Sequence, residues 1–148
     1  MDNLYRDFIL EHYRNPHNKG FLEPHDLHFA DSNPTCGDEM SMTIQLDDAK
    51  QAVADVAFDG RGCAISQASA SMMTDMLKGR TAEDADKLMQ GFLHLVKGED
   101  AAGLAGEDRE RLEVMAGVSA FPMRVKCATL AWHAMKAALD DRPAAKTE

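Results

Sequence analysis

Between Leu27 and Phe58 apolar side chains recur at every second residue, whereas on both sides of that stretch they recur at helical spacing. This change of period limits the chain to a small sheet flanked by helices. The alternating runs are Leu27 and Phe29, then Met40, Met42, Ile44 and Leu46, then Ala54, Val56 and Phe58. They predict a three-stranded antiparallel sheet. Asn33-Pro34-Thr35-Cys36-Gly37-Asp38 forms the first connection, and Asp47-Asp48-Ala49-Lys50 joins the second and third runs at hairpin length.

Ahead of the sheet, Leu4, Tyr5, Phe8, Ile9, His12 and Tyr13 mark an amphipathic helix over residues 2–14, capped by Asp2 or Asn3 and stopped by Pro16. The turn formers of residues 15–20 predict an exposed loop. Beyond the sheet, Gly60-Arg61-Gly62 bends the chain into a helix from Ala64 to Lys78 with Met72, Met73 and Met76 on its inner side and Gly79 at its end. Thr81, followed by Glu83 and Asp84, caps the next helix through Leu88, Phe92, Leu95 and Val96. Residues 98–108 read as an acidic loop, Arg111 to Met115 as a short helix, and Pro122 as the first turn of a long helix reaching Leu139. The fold class is therefore α+β, with an N-terminal helix and several C-terminal helices packed on the sheet. At 148 residues the chain suits one domain spanning 1–148, with 141–148 as a frayed tail.

Three cysteines carry the chemistry of this pattern. Cys36 and Asp38 share a glycine turn, where two residues apart they can face one point; Cys63 opens a helix after glycines; Cys127 lies in the second turn of the last helix. Three sulfurs and one carboxylate oxygen would complete a tetrahedral ion at one end of the sheet, and zinc suits that set, with iron–sulfur chemistry as the alternative. At a helix N-terminus, unpaired amides and the dipole favour a Cys63 thiolate. The competing reading is three buried cysteines, with Asp38 as a turn residue or strand cap. Arg124 and Lys126 are either solvated helix cations or tuners of the thiolates. The histidines and methionines read as structural residues and core fillers.

Charge and cysteine usage narrow the function. Twenty-five acidic against sixteen basic residues give a net charge of −9, which repels phosphate backbones and predicts no nucleic-acid partner. The apolar runs are too short for a membrane span, and the N-terminus lacks a signal-peptide layout, so no membrane association and a cytoplasmic location are expected. An odd cysteine count in such a chain argues for reduced thiols over a disulfide framework.

Four segments go further: Asp7 through Gly20 with its His12-Tyr13-Arg14-Asn15-Pro16, the loop carrying Cys36 and Asp38, Gly60-Arg61-Gly62-Cys63-Ala64-Ile65-Ser66-Gln67-Ala68-Ser69, and Arg124-Val125-Lys126-Cys127-Ala128-Thr129-Leu130-Ala131-Trp132. Together they resemble the U-type iron–sulfur cluster assembly family (IscU, SufU and the N-terminal part of NifU) over nearly the whole chain. Two features are similar to the SufU branch: Lys126 stands where the scaffold branch carries a histidine, and sixty-three residues separate Cys63 from Cys127, with 98–118 as the place of an extra segment. The resemblance implies one zinc ion held by Cys36, Asp38, Cys63 and Cys127. It also implies a sulfurtransferase activity in which a SufS-type cysteine desulfurase supplies persulfide sulfur for the downstream iron–sulfur assembly machinery. Cys36 is the expected catalytic acceptor, because it sits on a loop that can swing while Cys63 and Cys127 are anchored on helices. The alternative within the same family is a non-enzymatic scaffold that assembles and transfers a [2Fe-2S] cluster.

Overall fold

The computed structural model describes residues 3–33, 37–101, 103–104 and 106–141. Residues 34–36, Cys36 among them, and those beyond Asp141 lie outside the described residues, as does Asp2.

Helix α1 spans Asn3–Arg14 and turns Ile9 and His12 inward, while Phe8 and Tyr13 stay exposed. Among the side chains described, which do not include Leu4 and Tyr5, the inner stripe is thus narrower than the predicted one. The loop after it is open to solvent on one side, as its composition predicts, but its polar groups are tied down. His12 Nδ1 lies 2.7 Å from Ser71 Oγ, the His17 amide donates to the same hydroxyl at 2.8 Å, and His17 Nδ1 pairs with Asp75. Asn18 Nδ2 donates to Thr74 Oγ1 and Asp75 Oδ1. The chain then runs beside the third strand, where the Phe58 amide donates to Asn18 O and the Gly20 amide to Phe58 O. The segment expected to be an exposed loop therefore covers one sheet edge and ties α1 to α2 and β3.

Strands β1 (Leu27–Asn33), β2 (Asp38–Leu46) and β3 (Val53–Arg61) form the expected antiparallel sheet in the order β1-β2-β3. Met40, Met42, Ile44 and Leu46 are buried as their alternation predicts. On β3 the register shifts: Gln45 pairs with Asp55 but Leu46 pairs with Val53, so Ala54 has no partner and faces solvent. A bulge adds one residue to one strand and reverses the faces beyond it, which is why Val53, and not the predicted Ala54, joins Val56 and Phe58 in the core. Phe29, on the outer strand, is also partly exposed, contrary to the expected inward alternation with Leu27.

Helix α2 (Ala64–Leu77) is the centre of the molecule. The sequence predicts one apolar side, yet Ser66, Gln67, Ser69, Ser71 and Thr74 are buried as well as the methionines. The reason is that α1, α5 and β3 pack around it on different sides. Its hydroxyls are satisfied locally or across helices: Ser66 Oγ donates to Cys63 O, Thr74 Oγ1 to Ser71 O, and Ser69 Oγ to Ala128 O.

Helix α3 (Ala82–Val96) starts as predicted, with Thr81 Oγ1 accepting the Asp84 amide at 3.1 Å. Helix α4 occupies Gly106–Leu112 and passes into a 3₁₀ helix, Glu113–Ala120. The acidic loop therefore ends before residue 106, not at 108. Glu107 and Asp108 are first-turn residues of α4, where carboxylates complement the helix dipole, and Arg80 Nη2 pairs with Asp108 Oδ1 at 2.6 Å. Leu104 folds back onto α3 at Gly91, where a Cβ would stand 2.5 Å from Leu104 Cγ. Helix α5 runs Pro122–Asp140 with Pro122 in its first turn, and Trp132 stacks on Phe92 at 4.5 Å in the core. No helix among the described residues is long and apolar enough to cross a membrane.

Candidate metal centre

Asp38, Cys63 and Cys127 come from three elements and meet at one end of the sheet. Asp38 is the first residue of β2, paired with Asn33, the last of β1, and is fully buried. Cys63 is the N-cap residue of α2, with an extended backbone at φ −70°, ψ 167°. Cys127 lies in the second turn of α5 and is buried. One ligand atom from each can be chosen so that all lie within 4.8 Å of one another. Cys36, which the sequence places two residues before Asp38, is outside the described residues.

Two local devices aim the carboxylate. The Cys63 amide donates to Asp38 Oδ1 at 2.9 Å, and Oδ2 then lies 3.9 Å from Cys63 Sγ. Gly62 makes room for this arrangement. A Cβ there would stand 2.7 Å from Ser66 Oγ and 2.8 Å from Asp38 Cγ, with Asp38 Oδ1 nearer still. The glycine-rich bend before Cys63 is thus required by close approach, since the carboxylate occupies the volume a side chain would fill. The positive end of α2 faces the same spot and favours anionic ligands.

The donor set fits a zinc ion. With Zn–S bonds of about 2.3 Å and Zn–O bonds of about 2.0 Å, a tetrahedron has edges of roughly 3.5–3.8 Å. The 3.9 Å between Cys63 Sγ and Asp38 Oδ2 is within about 0.4 Å of the sulfur–oxygen edge, and the 4.8 Å limit on the set leaves at most about 1 Å of inward movement to reach tetrahedral edges. Three donors leave one tetrahedral position for a fourth ligand.

Several cations flank the cysteines in sequence. Arg124 and Lys126 are exposed, and Arg61 pairs with Glu39 at 2.8 Å. Arg124 lines a cavity of about 310 Å³ together with Arg6, Ile65, Val118 and Phe121. Neither Val118 nor Phe121 carries a sequence signal for this location, because both depend on how the 3₁₀ helix delivers the chain to Pro122. Ser66 and Gly62 were legible only as turn and helix residues; their spacing from Cys63 says nothing of the buried carboxylate between them.

An aspartate at the end of a three-stranded sheet, one cysteine opening the central helix and another in the last helix define a class. The pattern of the NifU-like N terminal domain matches residues 4–148, and the chain belongs to that family. It is 44% identical over 137 residues to the zinc-dependent sulfurtransferase SufU of Bacillus subtilis (strain 168), covering 92% of this chain and 89% of the relative. It is 40% identical over 139 residues to the iron-sulfur cluster assembly scaffold protein IscU of Streptococcus pyogenes serotype M1, covering 94% and 84%. The crystal structure of FiSufU from Fervidobacterium islandicum AW-1 superposes with a TM-score of 0.77 at 31% identity, covering 90% of this chain and 94% of that one. The resemblance to the U-type family is borne out, and relatives of both its branches match.

Proposed function

We propose that this protein is a zinc-dependent sulfurtransferase that accepts persulfide sulfur from a SufS-type cysteine desulfurase for iron–sulfur cluster assembly. The observation that carries the reading is the convergence of Asp38, Cys63 and Cys127 donor atoms within 4.8 Å. The 44% identity to a protein named as a zinc-dependent sulfurtransferase supports the choice of metal and reaction.

Cys36, Asp38, Cys63 and Cys127 would hold the ion. When bound, zinc keeps its thiolate ligands deprotonated at neutral pH. Cys63 and Cys127 are anchored on helices and serve as fixed donors, while Asp38 is oriented by the Cys63 amide. Cys36 is the acceptor. Its thiolate attacks the terminal sulfur of the desulfurase persulfide, a new sulfur–sulfur bond forms on Cys36, and the desulfurase cysteine leaves as a thiolate. Arg124, exposed three residues before Cys127 on α5, would attract the incoming anionic sulfur.

Desulfurase turnover with the zinc-loaded Cys36→Ala variant is the direct test. Loss of stimulation is expected; undiminished stimulation would exclude Cys36 as the acceptor.

The 40% identity to a protein named as an IscU scaffold favours a second reading, in which the same residues assemble a [2Fe-2S] cluster. Colourless protein with one tightly held zinc that stimulates the desulfurase without iron supports sulfur transfer. A brown chromophore formed on anaerobic reconstitution and donated to an apo-acceptor supports the scaffold.

A further inference from the structure

Cys63 and Cys127 lie on different helices with sixty-three residues between them, so the distance between their sulfurs depends on how α2 seats against α5. Both helices are rich in buried alanine and methionine: Ala68, Ala70, Met73, Ala131, Ala134 and Met135 are all in the core. Such contacts are non-directional and tolerate small slips and rotations. A hydrogen-bonded group among the described residues crosses between the two helices with a defined geometry. Ser69 Oγ donates to the Ala128 carbonyl at 2.6 Å and accepts from Trp132 Nε1 at 3.0 Å. Ser69, Ala128 and Trp132 are each at most 1% exposed. The hydroxyl has its one proton and an acceptor lone pair used where water does not reach, so a different seating of the helices would leave buried polar groups unpaired.

The position of this group is what connects it to the metal centre. Ala128 follows Cys127 directly, and Ser69 lies six residues, or about 9 Å along the axis, beyond Cys63. The Trp132 ring is itself held by Phe92, stacked at 4.5 Å and 16°. We infer that Ser69 and Trp132 are positioning residues, whose buried link between α2 and α5 sets the spacing of the Cys63 and Cys127 sulfurs and thereby the affinity and geometry of the metal site. The inference rests on the reading that those cysteines hold a metal.

The test is titration of Co(II), and of Zn(II) in competition with a chromophoric chelator, into the full chain as wild type, Ser69→Ala, Trp132→Phe and Leu88→Ala. Leu88 is a core residue of α3 and serves as a control for general destabilisation. Ser69→Ala is expected to weaken metal binding roughly tenfold and to alter the Co(II) ligand-field bands. Trp132→Phe should act in the same direction but less, because the bond from Ser69 to Ala128 survives. Leu88→Ala should lower the unfolding midpoint of the metal-free protein at least as much, with affinity within about twofold of wild type. Wild-type affinity and an unchanged spectrum in both Ser69→Ala and Trp132→Phe would overturn the inference while leaving the metal reading intact. So would an affinity loss that Leu88→Ala reproduces. Failure of the wild type to bind either metal would overturn the metal reading itself, and the inference with it.

Discussion

Replacing Gly62 with alanine is the sharpest test of how the carboxylate is held. The added Cβ would stand 2.8 Å from Asp38 Cγ and 2.7 Å from Ser66 Oγ. Ordinary carbon contacts lie at about 3.5–4.0 Å, so the carboxylate must retreat by roughly 1 Å. The bond from the Cys63 amide to Asp38 Oδ1, now 2.9 Å, would stretch past the range in which it counts as a hydrogen bond. Losing a bond to a buried charged acceptor costs about 1.5–3 kcal/mol. Crowding adds to this, so a loss of roughly 2–4 kcal/mol in the metal-free protein is expected. Because the displaced group is also a candidate ligand, zinc affinity should fall by about 10–100-fold. Urea unfolding of the metal-free protein and chelator competition on the zinc-loaded protein measure the two effects separately. Gly103→Ala is the control, since nothing lies within 4 Å of a Cβ there. If Gly62→Ala matches Gly103→Ala in both assays, the carboxylate does not sit beneath Gly62 and the proposed geometry is wrong.

Asp38→Ala removes the acceptor for the Cys63 amide and should lower zinc retention on gel filtration; unchanged metal content would reduce Asp38 to a strand-end residue. Burial, and secondarily the neighbouring His17, hold the His12 imidazole below its usual 6.5 against the opposing pull of Asp75 and Glu11. The folded state thus resists a proton that the unfolded chain accepts. The stability tied to His12 is complete above about pH 6.5 and is lost as pH falls through the window between that value and the lower folded-state pKa. Urea midpoints at pH 7.5 and pH 5 should therefore differ less in His12→Phe than in wild type, and equal slopes would refute the assignment. Gly91→Ala would push Leu104 off α3, at a cost of about 1–3 kcal/mol, and should speed proteolytic nicking within residues 98–105; unchanged nicking would mean that the Leu104 contact does not hold that loop.

Much of the architecture was legible from neighbours in sequence. Alternation at Met40, Met42 and Ile44, the cap at Thr81 and the helix start at Pro122 are signals that act within a few residues, and the chain obeys them. Where the reading failed, a distant contact was responsible. The bulge opposite Gln45 and Leu46 turned Ala54 outward, and the acids at Glu107 and Asp108 proved to be a helix start once Arg80 lay close enough to pair with Asp108.

The candidate site divides along the same line. The amino-acid order by itself determined which donors exist and that each of Asp38, Cys63 and Cys127 falls near an element end, because caps, turns and periodicity are local. Only the tertiary structure decided that these three converge, that Gly62 must lack a side chain to admit a carboxylate, and that α2 is enclosed on several sides with Ser69 bonded across to α5. Periodicity reports which face of an element is apolar; it carries no information on which partner covers that face or how closely the two approach, since those follow from the packing of the whole chain.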